Sequence, residues 1–169
     1  MAAINRDMVT IYIVAATTEP SALTDSDAVK GEITNWSLTG GNQDIESVPA
    51  FGGFIDKEKP REQFELSMDV TPQITGTAAI DNRWDTYRYG STLLSTGEGG
   101  TYRIFIQAYD GTNYKSTGFD NCKSVTWEPS HSADDNLGGT MTWKFSPEDS
   151  VGAANLVTSN VVATSLSWS

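Results

Sequence analysis

The chain holds one histidine and one cysteine, so few residues can carry chemistry. His131 lies in PSHSADDNLGG, close to Asp134 and Asp135. A general base needs a nucleophile within hydrogen-bond reach and a carboxylate that orients it. One turn-rich loop gives no rigid frame for all three, so His131 reads as a solvated loop side chain. Cys122 stands beside Lys123, and a neighbouring ammonium lowers a thiol pKa. Its alternating surroundings read instead as a strand in which Cys122 is a small, half-buried packing residue. One histidine and one cysteine cannot build a tetrahedral zinc site. Asp134-Asp135-Asn136 and Glu148-Asp149 are rich in oxygen. They lack the spaced carboxylates and fixed glycine of a calcium loop and read as turns. The phosphate-binding glycine loop, the dinucleotide fingerprint and the paired-histidine zinc helix are all missing from the sequence. The five tryptophans offer a sugar platform in principle. Trp127 and Trp143, however, share the parity of Val125, Met141 and Phe145, and Trp84 sits on a packing face, which leaves Trp36 and Trp168 free for a surface. These residues predict no enzyme, no cofactor and no metal.

The elements that carry these residues are mostly strands. Val9, Ile11 and Ile13 alternate with Thr10 and Tyr12, and Tyr102, Ile104, Ile106 and Ala108 alternate with Arg103, Phe105, Gln107 and Tyr109. Phe64, Leu66, Met68 and Val70 alternate with polar residues, as do Val125 with Trp127 and Met141 with Trp143 and Phe145. This two-residue period describes half-buried antiparallel strands. In VKGEITNWSL, residues 29–38, Gly31 and Asn35 predict a bulge or kink in a further strand. Asp110-Gly111 predicts a type I′ hairpin turn. One segment has helical spacing, with Ile80, Trp84 and Tyr87 on one face, and predicts a helix over about 77–89 that ends near Gly90. The fold class is mainly β: an antiparallel β-sandwich or partly closed barrel with one flanking α-helix.

At 169 residues the chain suits a single domain with a real core. Residues 1–150 are expected to form it, and 151–169 a C-terminal arm or an extra edge strand. The stretch Gly152–Ser169 carries no charge and is rich in Val, Thr and Ser, which favour extended chain. No apolar run approaches the ~18 residues of a membrane span. The N-terminal apolar stretch alternates and has no basic segment before it, so it reads as a strand and not a signal peptide. A lone cysteine excludes an internal disulfide. With 22 acids against 11 bases the net charge is −11, which argues against nucleic-acid binding through a basic patch. The stretch FIDKEKPREQFELSMDVTP places Asp56, Lys57, Glu58, Lys59, Arg61 and Glu62 around Pro60, immediately before a strand. A solvated hairpin loop and a contact loop between subunits both fit such a cluster.

In order and pattern the chain resembles the major tail (tail tube) proteins of long-tailed bacteriophages. The resemblance runs over about residues 8–147. It rests on GEITNWSLTGGNQDIESVPAFGG, the charge-and-proline loop feeding ELSMDV, the single W-x-x-Y helix, TYRIFIQAYDGTNY, and FDNCKSVTWEPSHSADDNLGGTMTWKFSP. It implies a structural subunit of the virion tail, made in the host cytoplasm, whose homohexameric rings stack helically into a channel for DNA ejection. Implied partners are further copies of the chain, the tape measure protein and the tail terminator, with viral DNA passing through unbound. On this reading Lys57, Glu58, Lys59, Arg61, Glu62, Leu156, Val161 and Trp168 are expected at contacts between subunits. Asp44, Glu46, Glu65 and Asp69 are expected to line an acidic lumen. The competing reading is a β-sandwich carbohydrate- or receptor-binding module, which a stable, glycan-binding monomer would favour.

Overall fold

A computed structural model describes residues 9–24, 27–29, 32–71, 74–75, 79–80, 83–90, 99–130, 138–148 and 154–159. The strands are β1 (Val9–Ala15), β2 (Ile33–Thr39), β3 (Ile45–Ala50), β4 (Gly53–Glu58), β5 (Phe64–Val70), β6 (Ile74–Thr75), β7 (Ala79–Ile80), β8 (Thr101–Tyr109), β9 (Tyr114–Ser130), β10 (Gly138–Phe145) and β11 (Leu156–Ser159). One α-helix, α1 (Arg83–Tyr89), precedes β8. Seven strands form one antiparallel sheet in the order β1-β8-β9-β10-β5-β2, with β11 also paired to β9. The sheet curls into a half-barrel. No helix among the described residues is long and apolar enough to cross a membrane.

The alternation read from sequence sets the inner face. Leu66, Met68, Ile104, Met141 and Trp143 are fully buried there, joined by Ile11, Ile13, Phe119, Trp127 and Phe145. Helix α1 closes this face with Trp84 and Tyr87. Trp84 stacks on Trp127 at 6.2 Å between centroids, and Tyr87 meets Tyr102 edge-on at 4.9 Å. Two indole hydrogen bonds fix the helix. Trp84 Nε1 donates to buried Glu32 Oε2 at 2.8 Å, and Trp127 Nε1 donates to Asp85 Oδ1 at 2.9 Å. The helix is shorter than the spacing predicts. Ile80 pairs with Ile74 in a small hairpin, and α1 begins at Arg83 and stops before Gly90, whose φ is +77°.

β9 is long because it serves three partners. Residues 114–123 pair with β8, 116–119 with β11 and 123–130 with β10. It bends where Asp120 and Asn121 together oppose Arg103, since Tyr102 faces Cys122 while Ile104 faces Phe119. Asn121, with φ +53°, supplies the left-handed residue that such a bulge needs. A second shift, between Thr142 and Trp143, leaves Val125 without a register partner. Val125 therefore does not share the inward parity of Trp127. The bulge expected in β2 is present, between Ile33 and Asn35.

The Asp110-Gly111 turn is not type I′. Only Gly111 has positive φ, and Asp110 Oδ1 instead accepts the N–H groups of Thr112 and Asn113 at 2.8 and 2.7 Å. The aspartate side chain does the work that a second left-handed residue would do.

Candidate assembly surface

The charged stretch at 56–62 begins in a projecting hairpin and ends in the connection to β5, residues 59–63. Asp56, Lys57 and Glu58 belong to β4, which pairs with β3 from Ile45↔Glu58 to Ala50↔Gly53. Neither strand joins the main sheet, and eleven of their twelve residues are exposed, with Val48 alone half-buried. A polar lattice organises the root. Asn42 Nδ2 donates to Glu62 Oε2 at 3.2 Å, and Glu62 N returns a bond to Asn42 O at 2.9 Å. Gln43 Nε2 donates to Glu58 Oε2, Arg61 Nε donates to Gln43 Oε1, and Lys59 pairs with Glu46 at 3.6 Å. Gly40, with φ +88°, starts the hairpin, and a Cβ there would lie 2.1 Å from Gln63 O.

Beyond the root the hairpin turns apolar. Directly opposed residues share a face, so Pro49 and Phe54 lie on one face and Val48 and Ile55 on the other. Phe54 and Ile55 are 74% and 58% exposed, and Phe51 stands fully in solvent at the tip. These are the functional candidates that the sequence reading missed. Adjacent apolar residues at 54 and 55 show no two-residue period because both faces are apolar.

The outer face of β9, β10, β5 and β2 is polar and arranged in rows. Lys123, Lys144, Glu65 and Thr39 form one row. Thr126, Thr142, Ser67 and Ser37 form the next, followed by Glu128, Thr140, Asp69 and Asn35. Glu65 and Asp69 point outward, as the sequence pattern predicts, but each has a partner. Lys144 Nζ lies 3.4 Å from Glu65 Oε2, and Asp69 accepts from Thr140 Oγ1 at 3.0 Å and Asn35 Nδ2 at 3.2 Å. Asp44 and Glu46 sit instead on the hairpin, Asp44 at its root and Glu46 opposite Lys57.

Of residues 151–169, the structure describes 154–159, with Leu156–Ser159 a strand. It pairs with β9 of its own chain, and Leu156 is half-buried against the core. Buried Asn155 locks this return. Its N–H donates to Pro147 O, its Nδ2 donates to Ser146 O, and its carbonyl accepts from Asp120 N at 2.7 Å. Val161, Trp168, His131, Asp134, Asp135, Asn136 and Asp149 lie outside the described residues.

Cys122 is fully buried, and that burial pushes its thiol pKa far up, with the Asp120 charge adding to the effect. This is the opposite of an activated nucleophile. Among the described residues no group of three metal-ligating side chains converges.

No family model matches the chain, and no curated protein matches it. Solved structures do. A chain in the cryo-EM structure of an extracellular contractile injection system, the PVC sheath-tube complex in its extended state, aligns with a TM-score of 0.56 at 12% identity, covering 94% of this chain and 93% of that one. The PVC sheath/tube terminator gives 0.55 at 11% identity over 94% and 98%. The tube terminating cap of the anti-feeding prophage gives 0.53 at 12% identity over 95% and 93%. The chain thus shares its fold, over nearly its whole length, with proteins solved in the sheath-tube, terminator and cap structures of these systems.

Proposed function

We propose that this chain is a structural subunit of a phage-tail-like tube. Copies associate head to tail into rings, six per ring in the tail-tube family it resembles, and the rings stack around a channel. The observation that carries this reading is the β3–β4 hairpin, held firmly at its root and apolar on both faces. An isolated two-stranded ribbon is marginal in water, and exposed apolar surface of this kind marks a contact site. Two open strands support it, since among the described residues β2 ends the sheet and β11 pairs only with β9. An open edge templates pairing with another chain, and a heterologous contact that rotates and rises builds a tube. The fold shared with tube-complex chains is consistent with this role. Partners on this reading are further copies of the chain and the proteins that fill and cap the tube. Rings formed through β2 would line the channel with the polar outer face, on which Glu65 and Asp69 are already paired.

Electron microscopy of the purified protein tests the proposal. Rings or tubes roughly 100 Å across, two sheet-and-helix layers on each side of a channel, are expected. A protein that sediments as a monomer at high concentration and forms no such particles refutes it.

A further inference from the structure

Where the β3–β4 hairpin leaves the sheet, a groove of about 460 Å³ opens on the polar face. Lys123 and Lys144 stand directly opposite each other across β9 and β10, and Gln63, Asn121, Val125 and Asn155 are among the other residues that line it. Like charges opposed in this way disfavour the pair, and the chain has only 11 bases in all. Glu65 answers Lys144 at 3.4 Å. Lys123 has no carboxylate partner among the described residues, where the ion pairs engage Lys59, Arg103 and Lys144. Glu148 also lines the groove but pairs with neither lysine.

The hairpin carries the complementary imbalance. Asp56 and Glu58 alternate onto one face of β4, the face that continues to Phe54. Their partners are neutral, the Ser47 hydroxyl and the Gln43 amide. We infer that the groove receives Asp56 and Glu58 of a second copy of this chain, with Lys123 as the principal cation and Val125 meeting the apolar part of the same hairpin face. The inference rests on the assembly reading above and specifies its contact. Hairpin into groove is a heterologous joint, which propagates rather than closing on itself as a dimer.

A charge swap tests it. Lys123 and Glu58 are both exposed. Lys123→Glu should leave the fold, and the thermal melt, as in the parent. Glu58→Lys gives up the exposed Gln43 contact at the hairpin root and should lower the melt only slightly, so the double substitution separates a lost charge pair from a loosened hairpin. Each single substitution is expected to raise the concentration needed for assembly about fivefold or more, the scale of losing an exposed ion pair and adding a repulsion. The double substitution is expected to return it to within about twofold of the parent. Assembling singles indistinguishable from the parent overturn the inference and leave the assembly reading standing, and so does a double no better than its singles. A parent protein that never assembles overturns both.

Discussion

Replacing Arg103 with methionine should cost this domain about 3–5 kcal/mol. Arg103 is 9% exposed and Asp120 8%. The guanidinium grips the carboxylate twice, Nε to Oδ1 at 3.0 Å and Nη2 to Oδ2 at 3.2 Å. Nη1 also donates to Thr18 O at 3.0 Å and Glu19 Oε1 at 3.1 Å. Glu19 is mostly in solvent, so that contact is screened and adds little. Burial disfavours the charged guanidinium, yet the Asp120 and Glu19 carboxylates more than offset this and raise its pKa. Methionine fills the volume but strands Asp120 as a buried charge whose one remaining donor among the described residues is Asn121 N at 2.8 Å. Breaking a buried pair in this way costs about 3–5 kcal/mol. With a urea m-value near 2 kcal/mol per molar the midpoint should fall by about 2 M. Adding Asp120→Asn removes the stranded charge and keeps an acceptor for Asn121 N, so the double variant should recover about 2 kcal/mol. Urea unfolding of the parent, single and double variants measures all three values. A single variant losing less than about 1 kcal/mol, or a double no better than the single, would show that this ion pair does not hold the bend in β9.

Gly40→Ala should lose at least about 2 kcal/mol in the same assay, because a left-handed φ is combined with a Cβ 2.1 Å from Gln63 O. Gly52→Ala has φ +93° but open space, so it should lose only about 1 kcal/mol; equal losses would refute the steric argument. Cys122 should resist iodoacetamide in the folded protein and react only on unfolding. Because its folded pKa is raised above the ordinary 9.0, its contribution to stability is present below pH 9 and lost as the pH rises beyond it. A Cys122→Ala variant should therefore show a shallower alkaline loss than the parent. Phe54→Ser should leave the unfolding midpoint within about 0.5 kcal/mol of the parent while suppressing assembly in sedimentation; loss of fold would mean that the hairpin is part of the core.

The inner face was legible because period two requires only that one side be dry. Leu66, Met68, Met141 and Trp143 could be assigned without knowing which strand pairs with which. Trp84 and Tyr87 on a packing helix face were legible for the same reason. The features that were missed break a period. Arg103 and Phe105 read as outward, yet the bend in β9 buries Arg103 against Asp120, and Phe105 packs with Val14 in a second cluster behind the sheet. That bend depends on Asn121 adopting φ +53°, which the residue type permits but does not demand. Val125 looked inward beside Trp127 until a bulge removed its partner. The return of β11 onto β9 depends on Asn155 meeting Asp120 and Asn121 across more than thirty residues, and local pattern cannot show that.

The hairpin shows why such a break in pattern points to function. Ordering each residue of a ribbon costs about 1–2 kcal/mol of backbone entropy. Residues 45–58 have no core to offset this, only cross-strand pairs of about 0.2–1 kcal/mol each. A chain shaped for life as a monomer would keep such a ribbon short, polar or docked. Here the root is fixed instead, by Gly40, the reciprocal Asn42–Glu62 bonds and the Gln43 contacts, so the direction of the ribbon is set. The distal half carries Val48, Phe51, Phe54 and Ile55, and burying side chains of that size is worth about 1.5–3 kcal/mol each. Rigid aim reduces the entropy lost on docking, and on the proposed assembly reading each apolar face meets a partner. One neighbour covering one face would leave either Phe54 or Ile55 wet. The arrangement is satisfied when the ribbon lies between two surfaces, the condition that a stacked ring of identical subunits supplies.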